Sequence, residues 1–179
     1  MGNIRVEGKK LIYQRKDELT IIEPYGMNCL RCRSTKNSKI LDENWTVLPP
    51  ATADDCHIEC DGRFATITNG AMKATIDAGQ IWYGGIITYF KKDTPVLHTR
   101  FEGDYSNRNQ HIEGDHYKIS VIFDANEGEH FYGIGQEQVD LFDRKGSTSQ
   151  IIHYNTKSTV PVLYSSLGYG FFWNNPSPG

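Results

Sequence analysis

A chain of 179 residues with a formal net charge of −3 is long enough to bury a core as one domain or part of one, and its small negative charge does not steer it toward nucleic acid or an anionic membrane. Aromatic residues make up 12% of the chain and glycines number 17; with no long stretch of helical periodicity, this composition favours an all-β domain. No apolar run approaches the roughly 18 residues of a membrane span. Met1 to Val6 has neither a signal-peptide core nor the Ser or Thr that myristoylation requires, so the expected location is cytoplasmic.

In chain order, Leu11 to Gln14 and Leu19 to Glu23 flank the charged turn Arg15-Lys16-Asp17, and Leu30 and Cys32 alternate with Arg31 and Arg33. All three segments read as half-buried antiparallel strands. Ser34 to Asp55 is polar and interrupted by Pro49-Pro50, with a short helix expected near Asp42 to Trp45. Phe64 to Thr68 and Ala71 to Asp77 are joined by Asn69-Gly70, the preferred pair for a type I′ hairpin because both central positions need positive φ. In the second of these strands Met72, Ala74 and Ile76 are expected to face the core. Ile81 to Phe90 reads as a strand bent at Gly84-Gly85, Glu102 to Asp115 as a long polar loop, and the alternation of Tyr117, Ile119, Val121 and Phe123 with Lys118, Ser120 and Asp124 as the next strand. Packed as two antiparallel sheets, these segments form a β-sandwich. Composition alone leaves immunoglobulin-like sandwiches and jelly rolls open.

Several groups could carry chemistry. Cys29-x-x-Cys32 and Cys56-x-x-x-Cys60 offer four thiols, superficially a zinc set. An odd offset on a strand points Cys29 and Cys32 to opposite faces, and ordinary reduced thiols are the better reading, so no metal is expected. Gly133-Ile134-Gly135 lacks the third glycine and the helix of a phosphate-binding fingerprint and reads as a turn. Glu137, Asp140 and Asp143 could hold an acid/base pair, but solvated loop carboxylates explain them better. The histidines show no ligand spacing, and Asn44-Trp45-Thr46 is a glycosylation sequon without a secretory context. Core packing is the favoured role for Phe171, Phe172 and Trp173, with a sugar-stacking platform as the lesser one.

The final quarter carries the specific signal. Tyr132-Gly133-Ile134-Gly135-Gln136 is followed by His153-Tyr154-Asn155-Thr156, a strand with Pro161, and Ser165-Ser166-Leu167-Gly168-Tyr169-Gly170 running into Trp173-Asn174-Asn175-Pro176. In order and spacing these motifs closely resemble the end of the N-terminal β-sandwich of glycoside hydrolase family 31, the α-glucosidases and α-xylosidases. The resemblance implies an antiparallel super-β-sandwich of the galactose mutarotase type spanning residues 1–179, lacking its last strands. It implies the non-catalytic domain of a retaining α-glycosidase, whose two catalytic carboxylates stand about 5–5.5 Å apart on a separate (β/α)₈ barrel. No catalytic residue and no cofactor is therefore expected in this chain.

By the same resemblance, the loop of His153, Tyr154, Asn155 and Thr156 projects toward the barrel mouth and forms one wall of the substrate pocket. The expected partners are an α-linked oligosaccharide and the protein's own barrel, with no nucleic acid or membrane. An unpaired sheet edge also favours self-association. A duty toward the loop's own backbone is an equal alternative for Asn155 and Thr156. A free-standing carbohydrate-binding module and a mutarotase-like epimerase are the rival functions, since fold does not fix function.

Overall fold

The computed structural model describes residues 2–15, 18–44, 46–50, 55–79, 85–100, 108–114 and 116–175. Among them there is no helix, and every paired strand is antiparallel. The chain forms two compact units, Met1–Asn44 with Leu48–Asp124, and Trp45–Val47 with Ala125–Gly179.

In the first unit, β1 (Asn3–Glu7), β2 (Lys10–Arg15), β3 (Glu18–Pro24) and β4 (Leu30–Thr35) make a meander in sequence order. β5 (Cys56–Cys60), β6 (Phe64–Asn69), β7 (Met72–Asp77), β8 (Ile86–Lys91) and β9 (Thr94–His98) make a second. One core joins the two sheets: Ile4, Leu11, Tyr13 and Ile22 from the first meet Ala65, Ile67, Ala74, Ile76 and Ile87 from the second. These are the inward residues of a sandwich, and each fully buried Leu or Ile stabilises it by about 1.5–3 kcal/mol. β10 (Arg108–Glu113) and β11 (His116–Val121) form a hairpin. After it the chain runs antiparallel to the end of β9, with Arg100 N donating to Ile122 O at 2.8 Å and Asp124 N to His98 O at 2.9 Å.

Two expectations change here, and a third lies partly outside the described residues. The loop expected over Glu102 to Asp115 contains β10, whose polar residues Arg108, Asn109 and Gln110 hide it from any hydrophobic alternation. Residues 42–44 are irregular rather than helical, and Trp45 lies outside the described residues. The bent strand is confirmed only from Ile86, since residues 81–84 also lie outside.

The hairpin at Asn69-Gly70 exists but is not type I′. Asn69 pairs with Met72, so the central residues are Gly70 and Ala71, and only Gly70 has positive φ, at 57°, the pattern of a type II′ turn. Asn69 instead turns its side chain inward, 2% exposed. Its amide donates to the carbonyls of Gly26 at 2.8 Å and Cys29 at 2.7 Å. Asn28 reciprocates by accepting from Ala71 N at 2.7 Å. The turns at the ends of the two sheets are thus bonded to each other.

In the second unit, β12 (Phe131–Gln136), β13 (Ser158–Ser165) and β14 (Gly170–Phe172) form a three-stranded sheet with β13 central. β13 and β14 are the hairpin expected from Val160 to Trp173, whereas Gly133-Ile134-Gly135 belongs to a strand rather than a turn. All three of its residues have positive φ, at 116°, 70° and 85°, and the pairing jumps from Gly133 opposite Leu163 to Gly135 opposite Thr159. Val160, Pro161 and Val162 therefore bulge out against the single residue Ile134. A proline fits this position because it has no N–H to donate to a ladder.

Candidate functional site

The irregularity in β12 and β13 determines which side chains meet beyond the end of the ladder. Below it Gln136 pairs with Ser158, so the next residues outward, Glu137 and Gln138, face Lys157 and Thr156. Without the jump, Glu137 would face Thr159. The observed contacts follow the shifted register. Glu137 Oε1 is 2.6 Å from Lys157 Nζ, and the Gln138 amide donates to the Thr156 hydroxyl.

Glu137 Oε2 also accepts from Arg144 Nη1 at 2.7 Å and Ser149 Oγ at 3.0 Å. The three charged side chains are enclosed, with Glu137 7%, Arg144 9% and Lys157 13% exposed. The Lys157 hydrogen bond, helped by Ser149 and Arg144, holds the Glu137 carboxyl below its ordinary range against the opposing effect of burial. Glu137 is therefore an ionised structural anchor, not the solvated loop carboxylate expected from sequence. With both oxygens occupied it has no proton to give.

Above this anchor, Tyr154-Asn155-Thr156-Lys157 forms a tight turn closed by Lys157 N donating to Tyr154 O at 2.9 Å. Asn155 sits at its tip with φ 49°, a left-handed conformation that asparagine tolerates better than most residues. Glu137, Gln138, Val139 and the four turn residues line a shallow depression. It offers the amides of Gln138 and Asn155, the Thr156 hydroxyl, and the exposed Tyr154 ring, over which Lys157 Nζ lies 5.9 Å from the centroid. His153 is not part of this lining. Its Nε2 bonds to the Thr159 carbonyl at 2.7 Å and ties the start of the loop to β13.

Glu129 is a second buried carboxylate. Glu129 accepts from Ser165 Oγ at 2.5 Å, Tyr169 OH at 2.7 Å and Asn126 Nδ2 at 3.1 Å, with Lys145 Nζ at 3.5 Å. Burial pulls its pKa upward, but the donors outweigh this and leave it lowered. Burial, reinforced by the bond to Glu129, pushes the Tyr169 phenol upward. The network fixes the hairpin loop between β13 and β14 to the segment entering β12. A lone Glu before a strand gives no sequence sign of this. On the same unit His130 Nδ1 lies 2.6 Å from Asp143 Oδ2, and Asp143 Oδ1 accepts from the Phe131 and Lys145 amides.

None of the four cysteines is in a disulfide, and desolvation raises the pKa of Cys29 and, as the larger of two opposing effects, of Cys56. Among the described residues no three His, Cys, Asp or Glu side chains come together as metal ligands.

The model of the glycosyl hydrolase 31 N-terminal galactose mutarotase-like domain matches residues 18–179. The chain belongs to this family. Its sandwich is therefore of the galactose mutarotase type. An uncharacterized family 31 glucosidase of Pseudescherichia vulneris is 29% identical over 180 residues, covering 88% of this chain and 33% of its own length. A GH31 α-xylosidase from a soil metagenome, crystallised with xylose, superposes with a TM-score of 0.87 at 26% identity, over 98% of this chain and 28% of that one. The xylosidase of Aspergillus niger shares the fold, with a TM-score of 0.72 at 21% identity over 96% of this chain and 26% of its own. This GH31 domain thus spans about a third of the length of the curated relative and a little over a quarter of the structural ones.

Proposed function

We propose that the chain acts as the non-catalytic N-terminal domain of a retaining α-glycosidase, an α-xylosidase or α-glucosidase that hydrolyses O-glycosyl bonds. Its role there is to support the catalytic barrel and to present Tyr154, Asn155 and Thr156 as part of the wall of the substrate pocket. The observation that carries this reading is the depression itself. Uncharged donors and acceptors beside an exposed tyrosine ring suit the hydroxyls and apolar faces of a sugar, and the carboxylate beneath them is committed to holding the turn. Cysteines that form no disulfide agree with a reducing compartment, the cytoplasm, as the place of action.

Asn155→Gly in the complete enzyme tests the assignment, because glycine keeps the left-handed turn while the amide is lost. The expected result is a changed preference among leaving groups of α-xylosides and α-glucosides, with unfolding shifted by only a few tenths of a kcal/mol. Unchanged preference in a folded variant would leave Asn155 with a turn-forming role alone.

A further inference from the structure

Asn69-Gly70 is the chain's one Asn-Gly pair, and such a pair carries a reaction of its own. With no side chain on Gly70 to shield it, the Gly70 main-chain nitrogen attacks Cγ of Asn69 and gives its proton to the departing amide. A five-membered succinimide forms and ammonia leaves. Water then opens the ring at either carbonyl, so the net change is asparagine plus water to ammonia plus aspartate or isoaspartate. Ring closure needs Asn69 to rotate its main chain and side chain until Cγ meets the Gly70 nitrogen. It also needs the leaving nitrogen to reach solvent.

The native fold opposes each requirement. Asn69 is paired on both sides, opposite Cys56 and Met72, which holds its main chain extended. Its side chain is buried, and the amide nitrogen that must leave donates to Gly26 O and Cys29 O. Asn28 closes the other side, because its Oδ1 accepts from Ala71 N and stands where a Cβ on Gly70 would lie. Gly26, Asn28 and Cys29 all belong to the β3–β4 connection, so the shielding lasts while the two turns stay bonded to each other. Either product undoes that bonding. A carboxylate at position 69 has no hydrogen to donate to the two carbonyl oxygens it faces, and isoaspartate also lengthens the main chain by a methylene between its ladder partners. We propose that Asn69-Gly70 is a self-modification site gated by folding. It is inert in the native protein and reacts when the β6–β7 turn parts from the β3–β4 connection. Once converted, the chain no longer regains the native pairing, so an unfolding excursion becomes a permanent loss. None of this depends on the function proposed above.

Peptide mapping by mass spectrometry tests this on the 179-residue protein, incubated in mildly alkaline buffer with and without denaturing guanidinium chloride. Asn37, exposed ahead of Ser38, is the internal reference and should be converted at similar rates in both. Asn69 should be converted at least about tenfold more slowly in the native protein, because reaction there waits on opening, and should be the fastest asparagine in denaturant. Asn28→Gly keeps the left-handed backbone at φ 53° and removes the bond to Ala71. It should raise the native rate at Asn69 several-fold and leave Asn37 unchanged. If this variant does not fold, a denaturant series below the unfolding midpoint takes its place, with conversion rising at Asn69 and flat at Asn37. After the denaturant is diluted out, the refolded fraction from size exclusion should be depleted in aspartate and isoaspartate at position 69. Equal rates at Asn69 in the two conditions overturn the proposal, as does an Asn69 that stays intact in denaturant. A native rate unmoved by Asn28→Gly, or flat across the series, overturns the gating. A refolded fraction as rich in the converted chain as the rest overturns the permanent loss.

Discussion

Replacing Asn69 by alanine removes the one side chain that bonds the β6–β7 turn to the carbonyls of Gly26 and Cys29. Each such hydrogen bond contributes about 0.5–1.5 kcal/mol net, and a buried acceptor left unsatisfied costs about 1–3 kcal/mol. Gly26 and Cys29 are partly or largely open to water, which can replace the lost donor, so the low end applies and the expected loss is about 2 kcal/mol for the pair. For a domain of this size that corresponds to a fall in Tm of about 4–8 °C. Urea denaturation of the 179-residue chain measures it as a lower midpoint with unchanged slope. Asn69→Asp should be at least as destabilising, because it places a carboxylate against two carbonyl oxygens. If Asn69→Ala moved stability by less than about 0.5 kcal/mol, the surface-substitution range, the turn-to-turn bonding would not be holding the two sheets in register.

The Asp143 carboxyl, lowered to about 2 first by the His130 hydrogen bond and then by backbone amides, sits below its unfolded value of about 3.9. Its contribution to stability is present above that value and is lost as pH falls from about 4 toward 2. Asp143→Asn should therefore flatten that part of the acid-unfolding curve followed by circular dichroism, and an unchanged curve would show the pairing to be inconsequential. Gly135→Ala places a Cβ at φ 85°, 2.8 Å from Val160 N and against Ser158 O, and should cost about 1–3 kcal/mol. It should also separate Glu137 from Lys157, seen as faster acetylation of the Lys157 amine by mass spectrometry. Unchanged labelling would show that the bulge does not set this ion pair.

What the sequence revealed depended on whether the information was local. β7 was readable because Ala74 and Ile76 alternate with polar neighbours, and the β13–β14 hairpin because two apolar runs flank small residues. β10 was not, since a strand written Arg-Asn-Gln-His has no apolar face to betray it. Asn-Gly is a strong local turn signal at Asn69, yet the Asn69 side chain answers to carbonyls in another hairpin. The grouping of Tyr154, Asn155 and Thr156 at one site was visible in their polar, ring-bearing chemistry. The anchor beneath them was hidden. Glu137 meets Lys157 only through a register jump around Ile134 and Pro161, and alternation patterns carry no record of such a jump.

The central claim is that this sandwich serves sugar hydrolysis without performing it. Chromogenic α-xylosides and α-glucosides, incubated in parallel with the purified 179-residue chain and with the complete polypeptide of the same gene, test that claim most directly. The account predicts background release from the chain and turnover by the complete polypeptide. Turnover by the chain that survives rigorous purification, or an inert complete polypeptide, would contradict it.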